Sequence, residues 1–160
     1  MAIDWTAPGT WTYQEFVLAS KLNTHLRDNS AWLKNRPFAN TVMTTIATTT
    51  STSFVELTES RATFTSYGGN VIIAVCGIFS NNTSGTTNTF DFAIDGTKQG
   101  DATVGLTQIY TPGTDYADCL SIVFFSTSAP SAGSHTYSMY WKVSSGTGST
   151  QLRLFALELR

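Results

Sequence analysis

The chain has 160 residues, enough for one domain, or one domain with an appendage, to bury a core without help from disulfides or metals. Only 12 % of the residues are charged, about half of the usual ~25 %, while 27 Thr and 17 Ser supply polarity. A net charge of −2 lacks the basic surplus that neutralises phosphates, so nucleic acid is not expected as a partner. The abundance of β-branched Thr favours an all-β fold.

The N-terminal region carries the helical pattern of the sequence. Residues 20–35 contain neither Gly nor Pro, Ser20 is suited to cap a helix start, and Pro37 stops a helix soon after residue 35. The spacing therefore predicts a short α-helix over about 20–35 within an N-terminal segment, residues 1–37.

One side of this helix is apolar. Leu22, Leu26, Asn29 and Leu33 are spaced by four, three and four residues, as in a coiled-coil seam, where a lone Asn can fix register. Two interpretations stay open: the helix packs on its own domain, or it packs on copies of itself or on a larger assembly. The second predicts an oligomerisation or attachment interface formed by Trp5, Trp11, Leu18, Leu22, Leu26, Asn29, Trp32 and Leu33.

Residues 38–160 alternate with period two and predict a separate β domain. Turn residues separate about nine short apolar runs, and Asp95-Gly96 is the strongest hairpin signal among them. This pattern is typical of an antiparallel β-sandwich or barrel. The predicted strands cover residues 41–47, 53–59, 61–67, 70–79, 89–95, 102–110, 117–127, 135–145 and 150–160, with 81–88 predicted as a flexible loop.

The alternation also predicts which side chains are buried. The predicted core consists of Phe64, Ile73, Val75, Phe90, Phe92, Leu120, Ile122, Phe124, Trp141 and Leu154. Asp91 alternates with Phe90 and Phe92 and is expected to face solvent. Cys76 and Cys119 are expected to be buried free thiols, since free Cys behaves as a small apolar residue.

The sequence offers few groups for catalysis. The two histidines, His25 and His135, have no partner at metal-ligand spacing, and neither a nucleophile elbow nor a phosphate-binding Gly-rich loop is present. The acidic residues offer two alternatives: a glycosidase pair at Asp91 and Asp95, and a Ca²⁺ site at Asp115 and Asp118. The sequence predicts a protein that is not an enzyme, with no catalytic residues, metal ligands or cofactor.

Three tyrosines supply a binding alternative. Aromatic rings on exposed strand faces stack on sugars, and Tyr110, Tyr116 and Tyr140 are the candidate residues for a bound glycan. The competing interpretation assigns these rings to packing on the sheet surface or between subunits.

Two parts of the chain resemble known proteins. The N-terminal segment, with its Lys-Leu-Asn and Leu-Arg-Asp-Asn runs, resembles a segment at the start of many bacteriophage and prophage virion proteins. The remainder resembles the jelly roll of the tumour necrosis factor and complement globular-head type. The N-terminal residues that carry the resemblance are Trp11, Thr12, Leu18, Ala19, Ser20, Leu22, Asn23, Leu26, Arg27, Asp28 and Asn29. The later cues are SYGGNVIIAVCGIFSN, the Phe-x-Phe-x-Ile-Asp-Gly hairpin and AGSHTYSMYWKV.

The resemblance implies a structural virion protein: a trimeric head-decoration, head-fibre or tail-fibre component built as an antiparallel jelly roll behind a short helix. Its implied partners are itself, as a homotrimer, and other virion proteins. The alternative is a carbohydrate-binding jelly-roll module that recognises a host-surface glycan. Because the N-terminus lacks the features of a signal peptide and no run reaches about 20 apolar residues, we expect a virion protein assembled in the host cytoplasm, without a membrane partner.

Overall fold

The computed structural model describes residues 18–126 and 129–159, apart from the side chains of Trp32, Leu33 and Tyr116. The chain divides between Arg36 and Pro37 into two compact units. The first unit contains a helix and the second contains the β-strands, so the change of sequence period coincides with a change of structure.

The helix of the first unit changes its winding along its length. It begins as α1 (Ala19–Leu22), continues as a π-helical turn (Asn23–Asp28) and ends as α2 (Asn29–Lys34). The helix predicted over 20–35 is confirmed, whereas the π-helical turn was not predicted. A π-helical turn holds more residues than an α-helical turn, so the spacing of apolar residues no longer places Asn29 directly in line with Leu22 and Leu26.

Eleven strands make up the described part of the second unit. They are β1 (Phe38–Val42), β2 (Ala47–Thr49), β3 (Val55–Glu56), β4 (Ala62–Tyr67), β5 (Asn70–Asn81), β6 (Thr86–Ile94), β7 (Thr97–Lys98), β8 (Thr107–Thr111), β9 (Tyr116–Phe125), β10 (Ala132–Val143) and β11 (Gly148–Leu159).

The strands form two antiparallel sheets. Sheet A has the order β1-β11-β5-β9, with β2 also paired to β11. Sheet B has the order β3-β10-β6-β7, with β4 paired to β10 and β8 paired to β6. The chain changes sheet between β2 and β3, between β4 and β5, between β5 and β6, and at each step from β8 to β11. This is a jelly-roll β-sandwich, and the predicted fold class is confirmed.

The core lies between the inner faces of the two sheets. Aromatic rings form its centre: Phe92 stacks on Tyr137 with ring centroids 6.2 Å apart, and Phe90 stacks on Trp141 at 6.1 Å. Eight of the ten predicted core residues are buried, and Ile122 and Phe124 are partly buried against the same cluster. The predicted strand phase is therefore confirmed.

Three predicted strands are shorter than expected. The run 41–47 ends as a strand at Val42, and 53–59 keeps only Val55–Glu56 before a 3-10 turn over Thr58–Ser60. The run 102–110 is a strand only from Thr107, since Asp101 Oδ1 accepts the backbone N–H groups of residues 103 and 104 and curls the chain.

The loop predicted over 81–88 is confirmed only over 82–85, and its two ends are strand. β5 extends to Asn81 and β6 begins at Thr86. Inside the sandwich Asn81 Nδ2 donates to Asn88 Oδ1 at 3.0 Å, and Asn88 Nδ2 donates to Thr111 Oγ1 at 2.8 Å. Asn favours a loop in the sequence pattern. Here the buried side-chain amides are hydrogen-bonded across three strands, so Asn is accommodated within the sheets.

Two burial predictions are wrong. Asp91 is fully buried, because residues 99–106 fold over the outer face of sheet B and Asp91 Oδ1 accepts the Gly100 N–H at 2.9 Å. Cys76 and Cys119 are both exposed, because they fall on the outer face of sheet A rather than in the core. Their strands are apolar on both faces, so composition could not distinguish the two sides.

The hairpin at Asp95-Gly96 is confirmed, and it holds a histidine. Both residues have the positive φ that a type I′ turn requires, 50° and 78°. Asp95 accepts bonds from the Thr136 N–H at 2.8 Å and from His135 Nδ1 at 2.6 Å, while His135 Nε2 lies 2.8 Å from the Ser131 carbonyl oxygen. Both ring nitrogens therefore face acceptors, which favours the doubly protonated imidazolium.

The charges at this hairpin stabilise each other. The bond to Asp95 raises the pKa of His135; burial opposes this rise, and the Ser131 carbonyl adds to it. Burial raises the pKa of Asp95, but the bonds from Thr136 and His135 outweigh it and leave the pKa lowered.

We predict a pH-dependent contribution to stability from this pair. Because the pKa of folded His135 is raised, its contribution is complete below the unfolded pKa of ~6.5 and is lost as pH rises through the folded value. The difference in unfolding free energy between the wild type and His135→Gln should therefore shrink as pH rises from about 5 to about 9.

Urea titrations across that range measure the difference. Asp95→Asn is the matched control, because Asn keeps the type I′ turn and removes only the charge. The His135 effect should be smaller in that background. An equal pH profile in both backgrounds would contradict the pairing.

We also predict that removing one hydroxyl stabilises the domain. The Tyr137 hydroxyl is buried and hydrogen-bonds to no group in the described part of the chain, and burial raises its pKa. Tyr137→Phe removes an unsatisfied polar group and should raise the unfolding free energy by about 1 kcal/mol. Denaturant unfolding measures it, with Tyr110→Phe at an exposed site as the neutral control. A loss of stability in Tyr137→Phe would show that the hydroxyl has a partner.

Candidate self-association surface

The outer face of sheet A is apolar and uncovered in the described chain. We call it the sheet A face. Its side chains come from alternate positions of β1, β11, β5 and β9. They are Phe38, Asn40, Val42, Ile72, Ala74, Cys76, Ile78, Cys119, Ser121, Val123, Phe125, Gln151, Arg153, Phe155 and Leu157.

Strand register aligns these side chains into rows across the sheet. One row runs from Phe38 through Leu157 and Ile72 to Phe125. The next begins at Asn40 and continues with Phe155, Ala74 and Val123; the third crosses the sheet at Arg153 and Cys76. Because cross-strand neighbours on one face lie close together, the rows merge into a continuous surface.

This surface is exposed to a degree that is unusual for large apolar groups. Val123 is 62 % exposed, Phe125 59 % and Phe38 56 %. The Phe38 and Phe155 rings, with centroids 6.1 Å apart, cover the β1 and β11 side of the face. Contiguous exposed apolar patches on soluble domains mark sites where another molecule binds.

Charge is nearly absent from the sheet A face. Arg153 is the one charged residue in the set defined above, and it lies between Val42 and Cys76 in the strand register. A shallow groove of about 390 Å³ lies beside it, lined in part by Ala74, Val123 and Phe155. Depletion of charge with retention of Arg and aromatic side chains is the composition of an interface core.

The outer face of sheet B has the opposite chemistry. It presents hydroxyl groups, such as those of Thr63 and Thr136, whose oxygens lie 3.0 Å apart. The two faces of the sandwich therefore differ: one is suited to apolar contact and the other to hydrogen bonding with water or polar ligands.

The predicted helix interface is only partly placed by the structure. Leu18 is 57 % exposed, Leu26 61 % and Leu22 39 %, so an apolar stripe follows the described helix, whereas Asn29 is buried. Trp5 and Trp11, and the side chains of Trp32 and Leu33, lie outside the described residues. The role of these residues in attachment stays a prediction.

Two of the three candidate sugar-binding tyrosines share a surface. Tyr110 is 60 % exposed on β8, and Tyr140 is half-buried on β10; strand register places both on the outer face of sheet B. The Tyr116 side chain lies outside the described residues. The sequence could not predict this shared face, because it depends on both strands pairing with β6.

The acidic residues that were weighed for chemistry are occupied elsewhere. Asp91 is buried beneath the 99–106 loop and Asp95 holds the hairpin, so the two do not converge on a cleft. Among the described residues there is no group of three or more His, Cys, Asp or Glu side chains that could hold a metal ion. No described helix is long and apolar enough to cross a membrane.

The sheet A face was not predicted from the sequence. The available signal was the two-sided apolar character of β5 and β9, which is typical of strands buried on both faces. That pattern cannot distinguish burial under another layer of the same chain from burial under a second molecule.

Alignments with known proteins were found only among solved structures. No family model and no curated protein sequence matches the chain. Among solved structures, the Eiger TNF of S. frugiperda aligns with a TM-score of 0.46 and 8 % identity, over 79 % of this chain and 94 % of that one. A chain of the infectious bursal disease virus Gx strain aligns with a TM-score of 0.47 and 16 % identity, over 77 % of this chain but only 32 % of that one. The jelly-roll assignment stands on the strand pairing of this chain.

Proposed function

We propose that this protein is a structural component of a phage virion, a head-decoration, head-fibre or tail-fibre protein that assembles as a homotrimer through the sheet A face. The observation that carries the proposal is the continuous apolar surface formed by that face, with Arg153 as its one charge. The N-terminal Leu-Arg-Asp-Asn resemblance supports the phage origin.

Self-association would remove the free-energy cost of exposing this apolar face to water. Burial of apolar surface contributes about 25 cal/mol per Å², and rows of large side chains such as Val123 and Phe125 offer that gain only if a partner covers them. A closed ring of identical subunits covers every copy of the face. The resemblance to tumour necrosis factor-like jelly rolls favours a ring of three.

The helical unit supplies a second contact in this proposal. A helix of this length is marginal in water, and its described leucines, Leu18, Leu22 and Leu26, are exposed. We assign the segment 1–37 to attachment on other virion proteins or to oligomerisation. The proposed role needs no catalysis, and assembly would occur in the host cytoplasm before the protein becomes part of the virion.

Carbohydrate binding at the host surface is a second candidate function. One observation favours it: Tyr110 and Tyr140 both project from the hydroxyl-rich outer face of sheet B, where they pair with Thr87 and Asp91 of β6. That face is opposite the sheet A face, so the two functions do not compete for the same surface.

We predict that a charge on the sheet A face dissociates the oligomer. Val123→Arg would bury an unpaired charge, which costs about 2–5 kcal/mol, and should weaken self-association about 30-fold or more. Light scattering coupled to size exclusion should show a trimer for the wild type at micromolar concentration and a monomer for the variant, with unchanged circular dichroism.

The matched control for this experiment is Val104→Arg. Val104 is also an exposed valine, 46 % accessible, but it lies in the loop over sheet B. This variant should remain trimeric. A monomeric wild type, or equal dissociation by both variants, would overturn the assignment of the sheet A face.

We predict that assembly protects two thiols. Cys76 and Cys119 are exposed on the sheet A face of the isolated chain, so covering that face should slow their reaction with iodoacetamide by about tenfold or more. Mass spectrometry of the time course compares the wild type with Val123→Arg at the same concentration. Equal rates in the two proteins would contradict a contact over this face.

A further inference from the structure

We propose that a groove on the outer face of sheet B binds a saccharide that carries a carboxylate. The groove has a volume of about 300 Å³. Its lining includes Thr52, Thr87, Thr103, Lys142 and Ser144. The inference deepens the second candidate function and does not depend on self-association, which uses the opposite sheet.

One wall of the groove is held in place by backbone bonds. The loop over residues 99–106 is tied to β6 at both ends: Gly100 N donates to Asp91 Oδ1 at 2.9 Å, and Leu106 N donates to the Phe90 carbonyl at 3.0 Å. Between these ties, Asp101 Oδ1 accepts the Thr103 N–H at 2.7 Å. Thr103 is therefore positioned before a ligand arrives, which lowers the entropy cost of binding.

The other walls are fixed in the same way. Ser144 Oγ accepts the Thr87 N–H at 2.8 Å, and Ser144 N donates to the Thr87 carbonyl at 2.9 Å. The Val143 N–H donates to the Ser51 carbonyl at 3.0 Å and so anchors the segment that carries Thr52. The groove is thus a preformed feature of three segments.

Several hydroxyls in this groove remain available to a ligand. In the described structure, no hydrogen bond from or to the side-chain hydroxyl of Thr52, Thr87 or Thr103 occurs, and Thr52 and Thr103 are exposed. Convergent hydroxyls that both donate and accept match the hydroxyl groups of a sugar ring.

An aromatic ring lies beside these hydroxyls. Tyr110 pairs with Thr87 across β6 and β8 and projects from the same face with 60 % of its surface exposed. An exposed ring next to a hydroxyl-lined groove offers the apolar surface on which the C–H face of a sugar stacks. Tyr110 is therefore a contact residue in the proposal.

The groove also carries positive charge. The ammonium groups of two lysines lie over the Phe54 ring in cation–π contacts. Lys98 Nζ is 4.1 Å and Lys142 Nζ is 4.6 Å from the ring centroid. Asp101 is the exposed carboxylate near both lysines, and its oxygen already accepts two backbone N–H groups. Asp91 is sealed beneath the loop. An acidic sugar, such as a uronic acid, fits this balance better than a neutral one.

The test uses trigalacturonic acid and its methyl ester as probes, with the full chain. Calorimetry and saturation-transfer NMR should show saturable binding of the acid and about tenfold weaker binding of the ester. Lys142→Met should weaken binding of the acid about tenfold without affecting the ester, and Thr87→Val and Tyr110→Ala should weaken both.

Matched controls separate the groove from the fold. Thr65→Val, at an exposed position on β4 of the same sheet, should bind like the wild type, and melting curves establish that each variant is folded. Val123→Arg should also bind normally, because it affects only the proposed oligomer. Absence of saturable binding at millimolar acid, equal binding of acid and ester, or unchanged binding by Lys142→Met and Thr87→Val would overturn the proposal.

Discussion

The pairing of β5 with β11 is the constraint on which both faces of the sandwich depend. Twelve residues of each strand pair in register, from Asn70 with Leu159 to Asn81 with Gly148. A slip by one residue would exchange the inner and outer side chains of sheet A. Because these strands are rich in apolar residues on both faces, burial alone only weakly specifies the register. Polar contacts and close packing between the strands supply the remaining specificity.

Three contacts along the pair supply that specification. At one end, the buried Glu158 carboxylate accepts the N–H groups of Tyr67 at 2.8 Å and of Gly69. At the other end, Asn81 is bound into the amide network with Asn88. Between them, a Cβ at Gly77 would lie 2.3 Å from the Gln151 carbonyl oxygen, so a larger residue would collide with the paired strand. Each contact is possible in one register only.

Sequence patterning predicted the fold wherever the two faces of a strand differ in polarity. In β10, Tyr137, Met139 and Trp141 alternate with polar residues, so their burial could be predicted. In β5 and β9 both faces are apolar, so the pattern could not show that the face with Cys76 and Cys119 is exposed. The burial of Asp91 was also not predicted. It depends on the loop over residues 99–106, which folds back and bonds to Asp91 through Gly100, and the period-two pattern of a strand carries no information about such a loop. The sheet A face and the groove beside Tyr110 share this origin: each arises from register and loop closure, which no single segment encodes.

The edge position of β9 exposes the isolated chain to strand addition. This strand is an edge of sheet A, and its ten residues end in the exposed Val123 and Phe125. Natural sheets blunt such edges with Pro, Lys or a covering loop, yet β9 contains neither Pro nor Lys. In the described part of the chain, this edge therefore leaves backbone groups on which another extended segment can add as a further strand. The self-association proposed above would compete with that addition, so the concentration of free chain during synthesis would set the ratio of oligomer to aggregate.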